Sequence, residues 1–339
     1  MINSTDFGYY LMKYLSDYLP KQINASNNTI FAYRDTFSLM LEYLEKVRGF
    51  SPDSLTIETL NVEIIVEFLS WLENSRGYSV SSRNHRLAII RAFFKYLQFE
   101  NPKYLAHCQR VFSIRYKKTH SKPPEFLSGA AIAAILAEPD TRTEDHYRDL
   151  TLLSLMYDTG ARVQEICDLR ICDVKLHNPA SVTITGKGNK TRNVPVMSKT
   201  AAMVNRYLSV LGLSQEPLYT PLFRNHAKGK LTRNGITYIL QKYAGQARVK
   251  APNLIPEKVS PHMLRHSKAM HLVQAGVNII YIRDFLDHTN IRATEIYARA
   301  DGKMKRAALT KAGEKKVVSA KQAWNNDHGL VAWLKAFGK

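Results

Sequence analysis

Thr159-Gly160-Ala161-Arg162-Val163-Gln164-Glu165 is the stretch on which the reading of the second half of this chain turns. A helical run from about Tyr147 to Tyr157 precedes it, and the Thr159-Gly160 pair closes that run, because glycine leaves a helix at little steric cost. The turn then delivers Arg162 to the start of a new segment, with Glu165 three residues on. Working outward, Val182 and Ile184 lead into Gly186-Lys187-Gly188-Asn189-Lys190, and Asn193-Val194-Pro195-Val196 follows. Two β-branched runs around a Gly/Asn-rich turn predict a hairpin with lysines at its tip. Further on lie Pro261-His262-Met263-Leu264-Arg265-His266 and Leu286-Asp287-His288, the latter followed nine positions later by Tyr297. Singly, each has an ordinary explanation. An arginine at a turn is usually a surface residue, a lone histidine is usually a satisfied core residue, and Tyr297 is one of 18 tyrosines.

Together, in this order and spacing, the four stretches resemble the tyrosine recombinase (phage integrase) family in its simple two-domain, Xer-like form, over about Leu127 to Arg299. The matched motifs are T-G-x-R-x-x-E, G-K-G-x-K-x-R, H-x-L-R-H and L-x-H followed by tyrosine. The resemblance implies a mainly α chain with a small antiparallel β-sheet. It implies a helical-bundle, SAM-like core-binding domain over 1–115, a basic linker over 116–126, an α/β catalytic domain over 127–310 and a tail over 311–339 for protomer contact. The domains are expected to close as a C-shaped clamp on DNA. The implied catalytic set is Arg162, Lys187, His262, Arg265, His288 and the nucleophile Tyr297, with Glu165 behind them; Lys190 remains an alternative to Lys187. His266 and His271 are read as structural.

The implied activity is site-specific recombination of mobile or circular DNA, with neither metal nor other cofactor. It would run through a 3′-phosphotyrosine and a Holliday junction, in a homotetramer on an inverted-repeat double-stranded site, with accessory proteins an open question. The expected setting is a prokaryotic cytoplasm. Strand relaxation of the type IB topoisomerase kind and a non-catalytic architectural role are the alternatives. The separate helical domain and the G-K-G hairpin favour the recombinase over the first, and the reactive residues at every matched position favour it over the second. Three positions depart from the family pattern: Asp287 replaces a glycine, Lys268 an aromatic residue and Ala293 a threonine. A carboxylate at Asp287 would repel a phosphate unless it faces away or orients His288, and Lys268 either alters packing or adds a phosphate contact.

The residue types suit this chemistry. Attack on a phosphodiester builds negative charge on the non-bridging oxygens, and two guanidiniums, Arg162 and Arg265, can hold that charge in fixed fork geometry. A phenol ionises near pH ~10, so Tyr297 needs a base as it attacks, for which His262 is the candidate. The leaving 5′-oxygen needs a proton, for which Lys187 is the candidate acid, and His288 can donate to a phosphate oxygen.

The rest of the chain agrees with a nucleic-acid partner. Forty-eight Lys and Arg against 29 Asp and Glu give a formal charge of +19 over 339 residues, a surplus that points to a polyanion. No apolar run approaches the ~20 residues that span a bilayer. The N-terminus shows neither the basic nor the apolar region of a signal peptide. The 3 cysteines form no C-x-x-C pair and are expected as reduced, partly buried thiols.

Three helical stripes lie in the first part: Tyr33/Phe37/Met40/Leu41/Leu44 after Asn27-Asn28-Thr29, Val62/Ile65/Phe68/Leu69/Leu72, and Leu87/Ile90/Phe94/Leu97 opened by Ser81-Ser82. Residues 1–20 leave room for a short extension ahead of this bundle. The run Arg115 to Pro124 is basic, aperiodic and ends in two prolines, as a tether would. Arg83, Arg86, Lys117, Lys118, Lys122, Lys190 and Arg192 are the candidate DNA contacts. Leu330, Trp333, Leu334 and Phe337 form an apolar stripe suited to a helix that docks on its own domain or on a neighbour.

Overall fold

The computed structural model describes residues 5–119, 124–186 and 188–287. The chain divides into two compact units, Met1–Ser121 and Lys122–Lys339.

The first unit is helical. Its long helices are α2 (Asn27–Lys46), α3 (Val62–Asn74) and α4 (Val80–Glu100), followed by the short α5 (Leu105–Phe112). Each long helix begins at a side-chain oxygen that accepts a backbone N–H of the first turn: Ser26 from Thr29, Asn61 from Ile64 and Ser79 from Ser82. The third helix therefore opens two residues before the expected Ser81-Ser82. Phe37, Met40, Leu44, Ile65, Phe68, Leu69, Leu72, Leu87, Ile90, Phe94 and Leu97 share one core, each large side chain contributing ~1.5–3 kcal/mol of burial.

Residues 6–22 are part of this bundle and not an extension of it. Helix α1 (Asp6–Lys13) runs into a wider π-helical stretch, Tyr14–Gln22, that contains Pro20. Phe7, Tyr14 and Leu19 are buried in the same core, where Tyr14 packs on Phe93 and Tyr96.

Two of the candidate DNA contacts, Arg83 and Arg86, are turned inward. Arg83 is buried and donates to the Arg115 carbonyl and to Asn84 Oδ1. Arg86 donates to the Ala32 carbonyl and, at 2.7 Å, to Thr36 Oγ1. These bonds join α4 to α2 and to the chain after α5. That chain lies along α4, with Asn84 and Lys117 exchanging side-chain and backbone bonds of 2.8 and 3.1 Å. Lys117 Nζ pairs with Glu73 at 2.6 Å, whereas Lys118 is exposed.

The second unit opens with α6 (Gly129–Leu136), capped by Ser128, and is built on α7 (Glu144–Thr159), whose Leu152, Leu153, Leu155 and Met156 are buried. After α8 (Val163–Asp168) comes an antiparallel sheet in the order β1 (Val174–Lys175), β2 (Ser181–Thr185), β3 (Thr191–Pro195). The expected hairpin is β2–β3, with Ile184 opposite Arg192. Helices α9 (Ser198–Val210), α10 (Arg233–Lys250), α11 (Pro261–Gln274) and α12 (Ile279–Leu286) complete the described part. Cys108 and Cys167 are buried, but Cys172 is exposed because it lies in a short surface turn. Among the described residues no helix is long and apolar enough to cross a membrane.

Candidate active site

Helix α7 ends on Gly160 in the left-handed conformation, φ +57°, which reverses the chain and starts α8 at Arg162. Glu165 then folds back over the helix start. Its Oε2 accepts the Arg162 backbone N–H at 2.9 Å, and its Oε1 accepts from Arg162 Nη1 at 2.8 Å. Arg192, arriving on β3, clasps the same carboxylate with Nη2 at 2.7 Å and Nη1 at 3.2 Å. Glu165 is buried, which opposes its charge, yet the bonds from Arg192 and Arg162 hold its pKa below the usual carboxylate range.

The far side of the cluster is the C-terminus of α12. A helix leaves its last carbonyls without intrahelical donors, and their partial negative charge attracts cations. Here three successive carbonyls each receive an arginine from a different element. Arg192 Nε donates to Phe285 at 3.1 Å, Arg265 Nη2 to Leu286, and Arg162 Nη2 to Asp287 at 2.9 Å. Arg265, buried on α11, also donates to the Gly160 carbonyl at 2.8 Å and so ties the α7 turn to the end of α12. The two arginines expected to clamp a phosphate thus meet at Leu286-Asp287, immediately before His288.

Asp287 caps α12 in the left-handed region, φ 51° and ψ 51°. That conformation accounts for glycine at this place in the family pattern, and aspartate is among the few other residues that tolerate it. Its side chain does not face away: Oδ2 accepts from Arg162 Nη1 at 3.2 Å and lies 4.0 Å from Arg192 Nη1. Burial opposes the Arg162 charge, but the Glu165 and Asp287 carboxylates beside it raise its pKa above the ordinary guanidinium value.

Gly186, the first glycine of the lysine turn, presses on this cluster. A Cβ there would lie 2.9 Å from Asp287 Oδ2 and 3.2 Å from Glu165 Oε1. The turn closes through the Gly186 N–H donating to the Lys190 carbonyl at 2.7 Å, and the Lys190 side chain is exposed.

His262 is exposed in the first turn of α11, three residues before Arg265, with its ring 6.4 Å from that of His266. Burial, together with the charges of His262 and Arg265, lowers the His266 pKa. His271 is in contact with Tyr157, its Nδ1 2.8 Å from the phenol oxygen. Lys268 is a packing residue: it pairs with buried Asp158 at 3.3 Å and lies over the rings of Tyr157 and Phe285. Arg192, a candidate DNA contact in the sequence, is placed facing inward, with its guanidinium committed to Glu165 and Phe285. Lys122, Lys187, His288, Tyr297 and the tail 311–339 lie outside the described residues. Sequence reasoning missed the inward roles of Arg192 and Gly186; the G-K-G-x-K-x-R match contained both, but nothing in it says which way an arginine points.

The model of the phage integrase family matches residues 125–304, and that of the phage integrase N-terminal SAM-like domain matches residues 12–101. The chain belongs to the phage integrase family. Among this integrase's relatives is a putative integrase/recombinase, y4rC, of Sinorhizobium fredii, 35% identical over 318 residues and 94% of either chain. Another is tyrosine recombinase XerD of Staphylococcus epidermidis, 33% identical over 274 residues, covering 80% of this chain and 88% of that protein. In fold, the integrase is similar to XerH site-specific recombinase bound to its difH substrate, with a TM-score of 0.63 at 23% identity, over 87% of this chain and 82% of that one. It is also similar to the Tn1549 transposon integrase in complex with transposon right-end DNA, with a TM-score of 0.69 at 15% identity, over 89% and 99%.

Proposed function

We propose that this integrase is a site-specific DNA recombinase that cuts and rejoins strands through a 3′-phosphotyrosine on Tyr297. The observation that carries the reading is the convergence of Arg162 and Arg265 on Leu286-Asp287, one residue before His288. Two guanidiniums brought together by burial and by carbonyl bonds are oriented before substrate arrives, so they cost little reorganisation when charge develops on a phosphate.

In the proposed reaction the Tyr297 oxygen attacks the scissile phosphorus, and His262 takes the phenol proton. Arg162, Arg265 and His288 hold the non-bridging oxygens. The 5′-oxygen leaves as a hydroxyl with a proton from Lys187, with Lys190 the alternative donor. The phosphoester bond energy is kept in the phosphotyrosine, so a 5′-hydroxyl of a second strand reverses the step and strands exchange. The partner is double-stranded DNA carrying an inverted-repeat site, and the working assembly is a tetramer in which the 311–339 tail contacts a neighbouring protomer.

A nicked duplex that releases a short strand on cleavage tests the reading. The wild-type protein is expected to be trapped covalently on the 3′-phosphate, and Tyr297→Phe is expected to give no adduct. An adduct with the phenylalanine variant would falsify the nucleophile assignment. Relaxation of supercoiled plasmid without strand-exchanged product from paired sites would favour the topoisomerase reading instead.

A further inference from the structure

Arg162, Glu165, Arg192 and Asp287 form a closed ring of alternating charge. Arg162 meets Glu165 at 2.8 Å, Glu165 meets Arg192 at 2.7 Å, Arg192 stands 4.0 Å from Asp287, and Asp287 meets Arg162 at 3.2 Å. Opposite charges at these separations in a half-buried setting are strongly coupled, so each carboxylate divides its attraction between two guanidiniums. Arg192 and Asp287 therefore act on Arg162 in opposite senses. Arg192 takes part of Glu165, which would otherwise sit wholly on Arg162, and Asp287 applies a second carboxylate directly to it.

Both residues are also built in. Only 11% of the Arg192 side chain is exposed, and its Nε holds the Phe285 carbonyl. Asp287 occupies a left-handed cap, and its carboxylate lies where Gly186 leaves room for it. With the four members charged the ring is neutral. Losing Arg192 makes it negative, and losing the Asp287 charge as well makes it neutral again.

We propose that Arg192 and Asp287 are paired positioning residues that set, from opposite sides, how much of the Arg162 charge remains for a phosphate. The inference rests on the recombinase reading above and assigns to this chain's own acidic cap the task of trimming the clamp. A purely structural ring makes a different prediction: two broken contacts are worse than one. Charge setting predicts that the second loss repairs the first.

The experiment compares wild type, Arg192→Gln and Arg192→Gln/Asp287→Asn in single-turnover adduct formation on the nicked duplex, with thermal unfolding of each protein alongside. Arg192→Gln is expected to slow adduct formation about tenfold or more. The double variant is expected to be about threefold or more faster than Arg192→Gln, while no more stable. Should Arg192→Gln fail to fold, Arg192→Met with and without Asp287→Asn, which also removes the charge, carries the same comparison.

Binding of inorganic phosphate, followed through the Arg162 side-chain NMR signals, is expected to give the same order without any cleavage step. A double variant no better than its single parent in either readout overturns the proposal. The expected phosphate order in a wild-type protein that forms no Tyr297-dependent adduct would overturn the recombinase reading and leave the charge pair standing.

Discussion

Gly160 and Leu286 show how tightly the site is drawn at the scale of single residues. A Cβ on Gly160 would fall 2.9 Å from Leu286 Cδ2, in a backbone conformation that disfavours any L side chain. Gly160→Ala is therefore expected to cost ~1–2 kcal/mol from the left-handed backbone alone. It also pushes on the residue whose carbonyl receives Arg265. Chemical denaturation checks the first effect as a lowered midpoint; an unchanged midpoint would mean that the turn relaxes freely. The T-G pair announced this position in the sequence. Asp287 was legible only as an anomaly, because its tolerance depends on Arg162, which lies 125 residues away along the chain.

Among elements, the contact of α7 with α11 carries a pH dependence. His271 on α11 faces the Tyr157 hydroxyl, the Phe126 ring and Lys268, and burial is the main cause that lowers its pKa from 6.5. Its bond with the Leu127 backbone opposes that shift, and the Lys268 charge adds to it. The folded protein thus favours neutral imidazole. This stabilisation is complete above the unfolded pKa and is lost as pH falls through the lowered folded value; His266, lowered in the same way, contributes with the same sign. The thermal midpoint is expected to fall between roughly pH 7 and pH 5, and to fall less steeply in His271→Gln. An unaltered slope in that variant would remove His271 from the account.

At this scale the long helices were readable from their stripes, since apolar spacing records which face is buried. The Tyr14–Gln22 segment was not, because a π-helix containing Pro20 does not carry the 3.6-residue period. Strand β1, two residues long, is too short to alternate.

For the whole molecule, the charge of +19 states how much positive charge exists but not where it points. Composition placed Arg83, Arg86 and Lys118 in one class; long-range packing separates them, since Arg86 is bonded to α2 and Lys118 is exposed. Lys118→Gln is expected to reduce the slope of log affinity for DNA against log salt by about one, as the loss of one phosphate contact would. Arg86→Gln is expected to lower the unfolding midpoint and leave that slope alone. The reverse pattern would put Arg86 at the interface. The capping of Phe285, Leu286 and Asp287 by three arginines reaches further than this one protein. A planar head with several N–H groups can grip main chain and ligand together, whereas an ammonium is a single point. Reckonings that rate arginine-to-lysine exchange as mild therefore break down at Arg162 and Arg265, where lysine would leave the end of α12 fastened differently.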